Sequence, residues 1–168
     1  MGKKTTGTRP EREAVKRYLQ QYHAAKQKKR ILEERRRTLS ADLRGPSAAP
    51  AYRATPSAKP VHPDGAGTLV FQIADVEERI EAQQAEMAKA VQNVMDLIDL
   101  LPVGSTERTV VEMRHIDCRP WDQIAREVYM SRSAVFNYYN AALDMLAKHE
   151  DSGKLLGDFK ARNRGTKK

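Results

Sequence analysis

The residue types most often used for catalysis and metal binding do not form a recognisable site in this sequence. No cysteine pair or HExxH-like spacing is present, and the histidines are scattered at His23, His62, His115 and His149. Cys118 is the single cysteine, which excludes an internal disulfide and fits a reducing compartment. The acidic residues follow the spacing of solvated helix faces. The sequence therefore predicts that the protein is not an enzyme and uses no metal or other cofactor.

A stretch near the C-terminus instead carries side chains suited to base edges and phosphates. Ser131 supplies a hydroxyl that can cap the helix that follows it. One side of that helix is apolar at helical spacing and comprises Val135, Tyr138, Tyr139, Ala142, Leu143 and Leu146. The other side is mainly polar and comprises Arg132, Ser133, Phe136, Asn137 and Asn140. In a major groove, Asn137 can pair with adenine, Phe136 can pack on a thymine methyl, and Arg132 can contact a base or a phosphate.

A short helix precedes this polar face. It begins at Pro120 or Trp121 and ends at about Val128, and Tyr129 and Met130 fill the turn. A short helix, a tight turn and a longer helix form the helix-turn-helix arrangement, in which the second helix enters the major groove. A plain helical hairpin with a solvated polar face would show the same pattern, so both interpretations stay open.

Three residues near the short helix are further candidates for DNA contact. The indole N–H of Trp121 can donate to a phosphate, or its ring can be buried against the second helix. Arg119 and Arg126 are candidates for contacts to the DNA backbone. Arg126 can equally pair with Asp122, which lies four residues earlier.

The segment from Leu100 onward resembles the fourth region of bacterial sigma factors, which reads the upstream promoter element. The matching features are Leu101-Pro102, Glu107-Arg108, Val110-Val111, Met113-Arg114, Ile124-Ala125, Ser131-Arg132, Val135 and Ala142-Leu143. The whole chain is similar to a family of small phage and prophage proteins with a sigma-like helix-turn-helix, some of which are described as late-gene transcriptional activators. The resemblance implies a three-helix domain over residues 102–148 that binds double-stranded DNA. Tyr129 stands where sigma factors usually have glycine, which predicts a strained turn or a different turn geometry.

Two long helices of opposite charge are predicted before this domain. Residues 10–44 form a basic helix, residues 68–101 form an acidic helix, and a Pro/Ala/Gly linker covers residues 45–67. Opposite charge and a flexible connection predict a long antiparallel hairpin with coiled-coil-like packing. Such a hairpin has a thin core, which would favour a homodimer through the long helices.

The predicted fold class is all-α, with the long antiparallel hairpin followed by the C-terminal three-helix helix-turn-helix domain. The basic ends of the chain, residues 1–9 and 149–168, are expected to be disordered. The first thirty residues lack an apolar block, and the longest apolar run is too short to span a bilayer. No membrane association is therefore expected, and the predicted location is the cytoplasm.

The positive charge lies mostly outside the predicted DNA-reading domain. The chain has a formal net charge of +8, which favours anionic partners. Residues 1–44 hold 14 basic and 5 acidic side chains, whereas residues 102–148 hold 6 of each. Because phosphate attraction supplies much of the affinity for DNA, residues 102–148 alone should bind weakly. The basic segments, dimerisation or RNA polymerase would have to add affinity.

These features favour a sequence-specific, phage-derived DNA-binding regulator that acts on late or packaging genes. An alternative is an interaction module that binds RNA polymerase or a sigma factor without reading bases. A third is a DNA-packaging protein of the small-terminase type, since such subunits also combine a helix-turn-helix with helical oligomerisation elements.

Overall fold

The computed structural model describes residues 9–45 and 64–165. This part of the chain is all-α, as the sequence predicts, and contains no strand. Its helices are α1 (Arg9–Leu19), α2 (Gln21–Arg44), α3 (Asp64–Ile98), α4 (Thr106–His115), α5 (Trp121–Glu127), α6 (Arg132–Lys148) and α7 (Glu150–Gly165). They belong to two compact units. The C-terminal unit combines residues up to 25 with residues from 87 onward, and the second unit comprises residues 26–86.

The prediction of one continuous helix over residues 10–44 is wrong. Helix α1 ends at Leu19, a turn at Gln20 follows, and α2 begins at Gln21. The interruption is slight, because the backbone N–H of Gln20 still donates to the Lys16 carbonyl at 3.1 Å. The backbone carbonyl of Leu19, at the end of α1, is hydrogen-bonded to His115 of α4. Helix α1 therefore belongs to the C-terminal unit, where Val15, Tyr18 and Leu19 are buried.

The boundaries of the linker and of the acidic helix also differ from the prediction. Gly45 follows the end of α2 with a φ of 70°, the conformation in which glycine commonly terminates helices. Helix α3 begins at Asp64, so residues 64–67 are helical, and residues 46–63 of the predicted linker lie outside the described residues. Helix α3 ends at Ile98 and not at Leu101, because the N–H groups of Leu100 and Leu101 bond three residues back and tighten the chain into a turn.

The unit of residues 26–86 contains parts of α2 and α3. Arg36 Nη1 of α2 and Glu77 Oε1 of α3 form an ion pair at 3.4 Å. Among the described residues of this unit, Val76 and Gln83 are the buried side chains, while Ile31 and Phe71 are 63% and 79% exposed. The core of this unit is therefore thin.

Helix α6 is the centre of the C-terminal unit, where it contacts α1, α4, α5 and α7. Its buried side chains are Val135, Tyr139, Ala142, Leu143 and Leu146. They meet an apolar cluster contributed by the other helices and by Leu101 of the turn after α3; its helical members include Leu97, Ile98, Val110, Val111 and Ile124. This packing fixes which side of α6 faces away from the protein.

The prediction of a disordered tail over residues 149–168 is wrong for the described residues, because α7 occupies Glu150–Gly165. Residues 166–168 lie outside the described residues, as do residues 1–8 of the predicted disordered N-terminus, and Arg9 is already helical. Leu155, Leu156 and Phe159 pack against the core. The Phe159 ring meets the Tyr18 ring edge-on, with 5.1 Å between the ring centroids. Burial of this apolar face explains why a segment with three glycines and many charges is helical.

In the ranges 9–45 and 64–165, no helix has both the length and the apolar character needed to cross a membrane.

Candidate nucleic-acid interface

The turn between α5 and α6 is defined by two backbone features. Ser131 is the N-cap of α6, as the sequence predicts, and its Oγ accepts a hydrogen bond from the N–H of Ala134 at 3.2 Å. Tyr129 has a φ of 54°, in the left-handed region that sigma factors usually fill with glycine. Its side chain is 95% exposed, so no burial offsets the backbone strain. The turn thus contains a residue with left-handed backbone, although that residue is a tyrosine and not a glycine.

The polar side of α6 is exposed. Ser131, Arg132, Ser133, Asn137 and Asn140 all have exposed side chains, whereas Val135 and Leu146 are fully buried. The side of α6 that carries the polar residues therefore faces away from the core. We call Arg132, Ser133, Asn137 and Asn140 the polar face of α6.

Arg132 is held only loosely within this surface. Its guanidinium forms an ion pair with Asp122 at 3.4 Å and lies 5.8 Å from the Phe136 ring centroid. Both charged side chains are mostly exposed, and an ion pair of this kind is worth little in water. Arg132 can therefore exchange Asp122 for a phosphate or a base edge at small cost.

Phe136 and Trp121 pack on each other. Their ring centroids are 4.5 Å apart, and both side chains are half-buried. Phe136 lies on the side of α6 that the sequence assigns to it, but its ring is only half-exposed because it packs on Trp121. Trp121 also meets the Tyr139 ring edge-on at 4.9 Å. Of the two roles open for Trp121, burial against the second helix is the one observed.

Arg119 and Arg126 have different surroundings. Arg119 forms ion pairs with Asp117 and Glu127, so it would have to leave both carboxylates to contact DNA. The sequence offered an ion pair between Arg126 and the Asp122 carboxylate as one alternative, and this ion pair is not formed. The Nε of Arg126 donates to the Asp122 backbone carbonyl at 3.3 Å, and the side chain is exposed.

A cleft beside α6 brings together residues that the sequence does not connect. Its volume is about 470 Å³. Lys16 of α1, His23 of α2, Arg114 of α4 and Asn140 of α6 line it together with the aromatic pair Trp121 and Phe136. The sequence does not predict this cleft, because it predicts the residues of α1 as part of a separate hairpin. No local pattern connects Lys16 with Arg114.

His115 lies at the base of this cleft and is 4% exposed. Its Nε2 lies 3.0 Å from the Tyr139 hydroxyl, and its ring stacks on the Tyr139 ring. Burial lowers the pKa of His115 from 6.5 to about 4, and the positive charge of Arg114 acts in the same direction. Burial also raises the pKa of Tyr139 to about 12, so its hydroxyl stays protonated. A neutral imidazole can then accept the Tyr139 hydrogen bond and donate to the Leu19 backbone carbonyl.

Within the described ranges, no group of three or more histidine, cysteine, aspartate or glutamate side chains is placed to hold a metal ion. No protein-family model, curated protein or solved structure matches the chain.

Proposed function

We propose that the protein is a sequence-specific DNA-binding transcriptional regulator that inserts α6 into the major groove. The observation that carries the proposal is the exposed polar face of α6, which begins directly after the Ser131 cap while the opposite side of the helix is buried. In this proposal α4, α5 and α6 act as a sigma-like helix-turn-helix, and the regulator is of the phage late-gene type that the resemblance implies.

The chemistry of the polar face suits base readout. Asn137 offers an amide that can donate to N7 and accept from N6 of adenine, which needs one donor and one acceptor on the same group. Arg132 offers parallel N–H donors for guanine or for a phosphate. Both lie in the first two turns of α6, the part of a recognition helix that contacts base edges. Each well-placed bidentate contact discriminates against the wrong base by about 1–3 kcal/mol, or roughly 5- to 150-fold in affinity.

The packing of α6 supports this reading over a plain helical hairpin. Helix α6 is held by α1, α4, α5 and α7, so its polar face is presented by a rigid unit. A recognition helix needs such support, because contacts to bases require a fixed register relative to the phosphate backbone.

The experiment is a binding titration of the full chain. Fluorescently labelled duplexes recovered by the protein from a random library are compared with a scrambled duplex, and anisotropy is measured at fixed salt. Arg132→Ala combined with Asn137→Ala should reduce the preference for the recovered duplex at least tenfold while leaving binding to the scrambled duplex within a fewfold of wild type.

The matched control removes an arginine and an amide from an exposed helix elsewhere. Arg79 and Gln84 lie on α3 and are exposed, so Arg79→Ala with Gln84→Ala should keep the wild-type preference. An unchanged preference in the α6 variant would show that the reading face has been misplaced. Absence of duplex binding by the wild-type chain at low salt would contradict the proposed function itself.

A further inference from the structure

The cleft beside α6 is rich in positive charge. Lys16, His23 and Arg114 line it, and no acidic side chain is part of its lining. In contrast, several other cations of the same unit are paired with carboxylates: Arg12 with Asp144, Arg108 with Asp99 and Glu112, Arg119 with Asp117 and Glu127, and Arg132 with Asp122. The charge in the cleft is thus left for an anion from outside the chain.

Arg114 is held in place without being neutralised. Its guanidinium lies 4.7 Å from the Trp121 ring centroid, and its Nη1 donates to the Arg119 backbone carbonyl at 2.9 Å. In the described part of the chain no carboxylate forms an ion pair with it. A stacked guanidinium with remaining N–H donors is well suited to a phosphate, because little side-chain freedom is lost on binding.

Lys16 is brought to the cleft by the packing of α1. The Arg12–Asp144 ion pair joins α1 to α6, and the neighbours of Lys16 on the inner side of α1, Val15 and Leu19, are fully buried. Lys16 is half-buried, and no described carboxylate lies within ion-pair distance of its Nζ. Its position relative to α6 is therefore fixed by the core.

The electrostatic effect on His115 agrees with this geometry. Burial lowers the pKa of His115 most, and electrostatic interactions with Arg114, His23 and Lys16 lower it further. Side chains from three helices thus act on one buried point under the cleft. The carboxylate of Glu13 acts nearby, where it raises the pKa of Tyr139, but it does not line the cleft.

We propose that Lys16 and Arg114 bind a backbone phosphate of the DNA duplex whose major groove receives α6, so that α1 completes the DNA-binding surface of the C-terminal unit. This inference rests on the proposed function. Asn140 and Phe136 line the cleft from the side of α6, so the cleft flanks the helix. A duplex with a helix in its major groove presents a phosphate backbone on either flank of that helix.

A DNA phosphate fits the cleft better than a small aromatic anion such as a nucleotide. Arg114 lies over the Trp121 ring at 4.7 Å and Phe136 packs on the ring at 4.5 Å, so side chains of the protein already occupy stacking positions on Trp121 that a base would need. Residues 102–148 carry no net charge and should bind DNA weakly alone. The proposed contact strengthens binding because Lys16 adds a cation from outside that segment.

The test compares substitutions at two adjacent residues of α1, Lys16 and Arg17, in the full chain. Lys16→Gln removes the cleft cation, whereas Arg17→Gln removes an equal charge from an exposed residue that does not line the cleft. The affinity for the recovered duplex is measured over a range of salt concentrations. One lost phosphate contact lowers the slope of log K against log salt by about 0.9, and this is the result expected for Lys16→Gln alone. Lys16→Arg should restore the slope.

The outcomes separate this proposal from the proposed function. Equal slopes for Lys16→Gln and Arg17→Gln, with sequence preference intact, would overturn the phosphate contact and leave the function standing. Failure of the wild-type protein to bind the duplex would overturn both the phosphate contact and the proposed function. Trp121 is the only tryptophan of the chain and lies in the cleft. If its fluorescence responds saturably to inorganic phosphate or ATP but not to the duplex, the cleft binds a free phosphate and the proposal is wrong.

Discussion

Acid should destabilise the C-terminal unit through His115. The imidazole is 4% exposed and its pKa is lowered to about 4, whereas an unfolded chain has a histidine pKa near 6.5. Between these values the unfolded chain binds a proton that the folded protein excludes. The contribution of His115 to stability is therefore fully present above pH 6.5, is lost progressively as the pH falls towards 4, and changes little below that.

The size of the stability loss follows from the lowered pKa of His115. A lowering from 6.5 to about 4 corresponds to roughly 2 kcal/mol lost by pH 5 and about 3 kcal/mol lost by pH 4. Carboxylates titrate in the same range, so the effect has to be measured as a difference. His115→Gln keeps a neutral side chain with a donor and an acceptor, and removes this titration from both states.

The assay is urea unfolding at pH 7, 5 and 4, followed by the fluorescence of Trp121, which contacts Tyr139 in the same cluster. The free energy of unfolding of the wild type minus that of His115→Gln should fall by about 2 kcal/mol from pH 7 to pH 5 and by about 3 kcal/mol from pH 7 to pH 4. A difference that stays constant from pH 7 to pH 4 would show that the folded protein admits the proton freely. It would refute the argument from burial.

Two other substitutions test the turn and the last helix. Tyr129→Gly should raise the free energy of unfolding by about 0.5–1 kcal/mol, because the left-handed backbone at a φ of 54° is relieved while no buried contact is lost; a lower denaturation midpoint would contradict the strain. Phe159→Ala should cost about 1–2 kcal/mol through loss of the edge-on contact with Tyr18 at 5.1 Å, whereas Lys160→Ala at an exposed neighbouring position should change little. Equal stability of the two α7 variants would show that α7 does not contribute to the core.

Local signals in the sequence were sufficient to predict some helix ends. Ser131 caps α6 and Gly45 follows the last residue of α2, because these effects depend on a few adjacent backbone groups. For Tyr129 the sequence left open a strained turn or a different turn geometry, and the φ of 54° is the strained one. The buried and exposed sides of α6 followed from helical spacing alone, apart from Phe136.

The arrangement of distant segments was not predictable from these signals. Val15, Tyr18 and Leu19 fit the seam of a long hairpin as well as they fit the core beside α6, and spacing cannot distinguish two apolar partners. In α7 only Leu155, Leu156 and Phe159 provide an apolar face, and the glycines and charges around them outweigh it in any local reading. The cleft depends on the first of these long-range choices, because α1 must pack on the C-terminal unit before Lys16 and Arg114 can line the same cleft.

The most direct test of the central claim is selection of bound sequences from a random duplex library by the full chain and by Asn137→Ala. The account predicts that the wild type enriches one motif containing an adenine that Asn137→Ala no longer requires, while the preference at the other positions is kept. Enrichment of the same motif by both proteins, or of no motif by the wild type, would contradict base reading by α6.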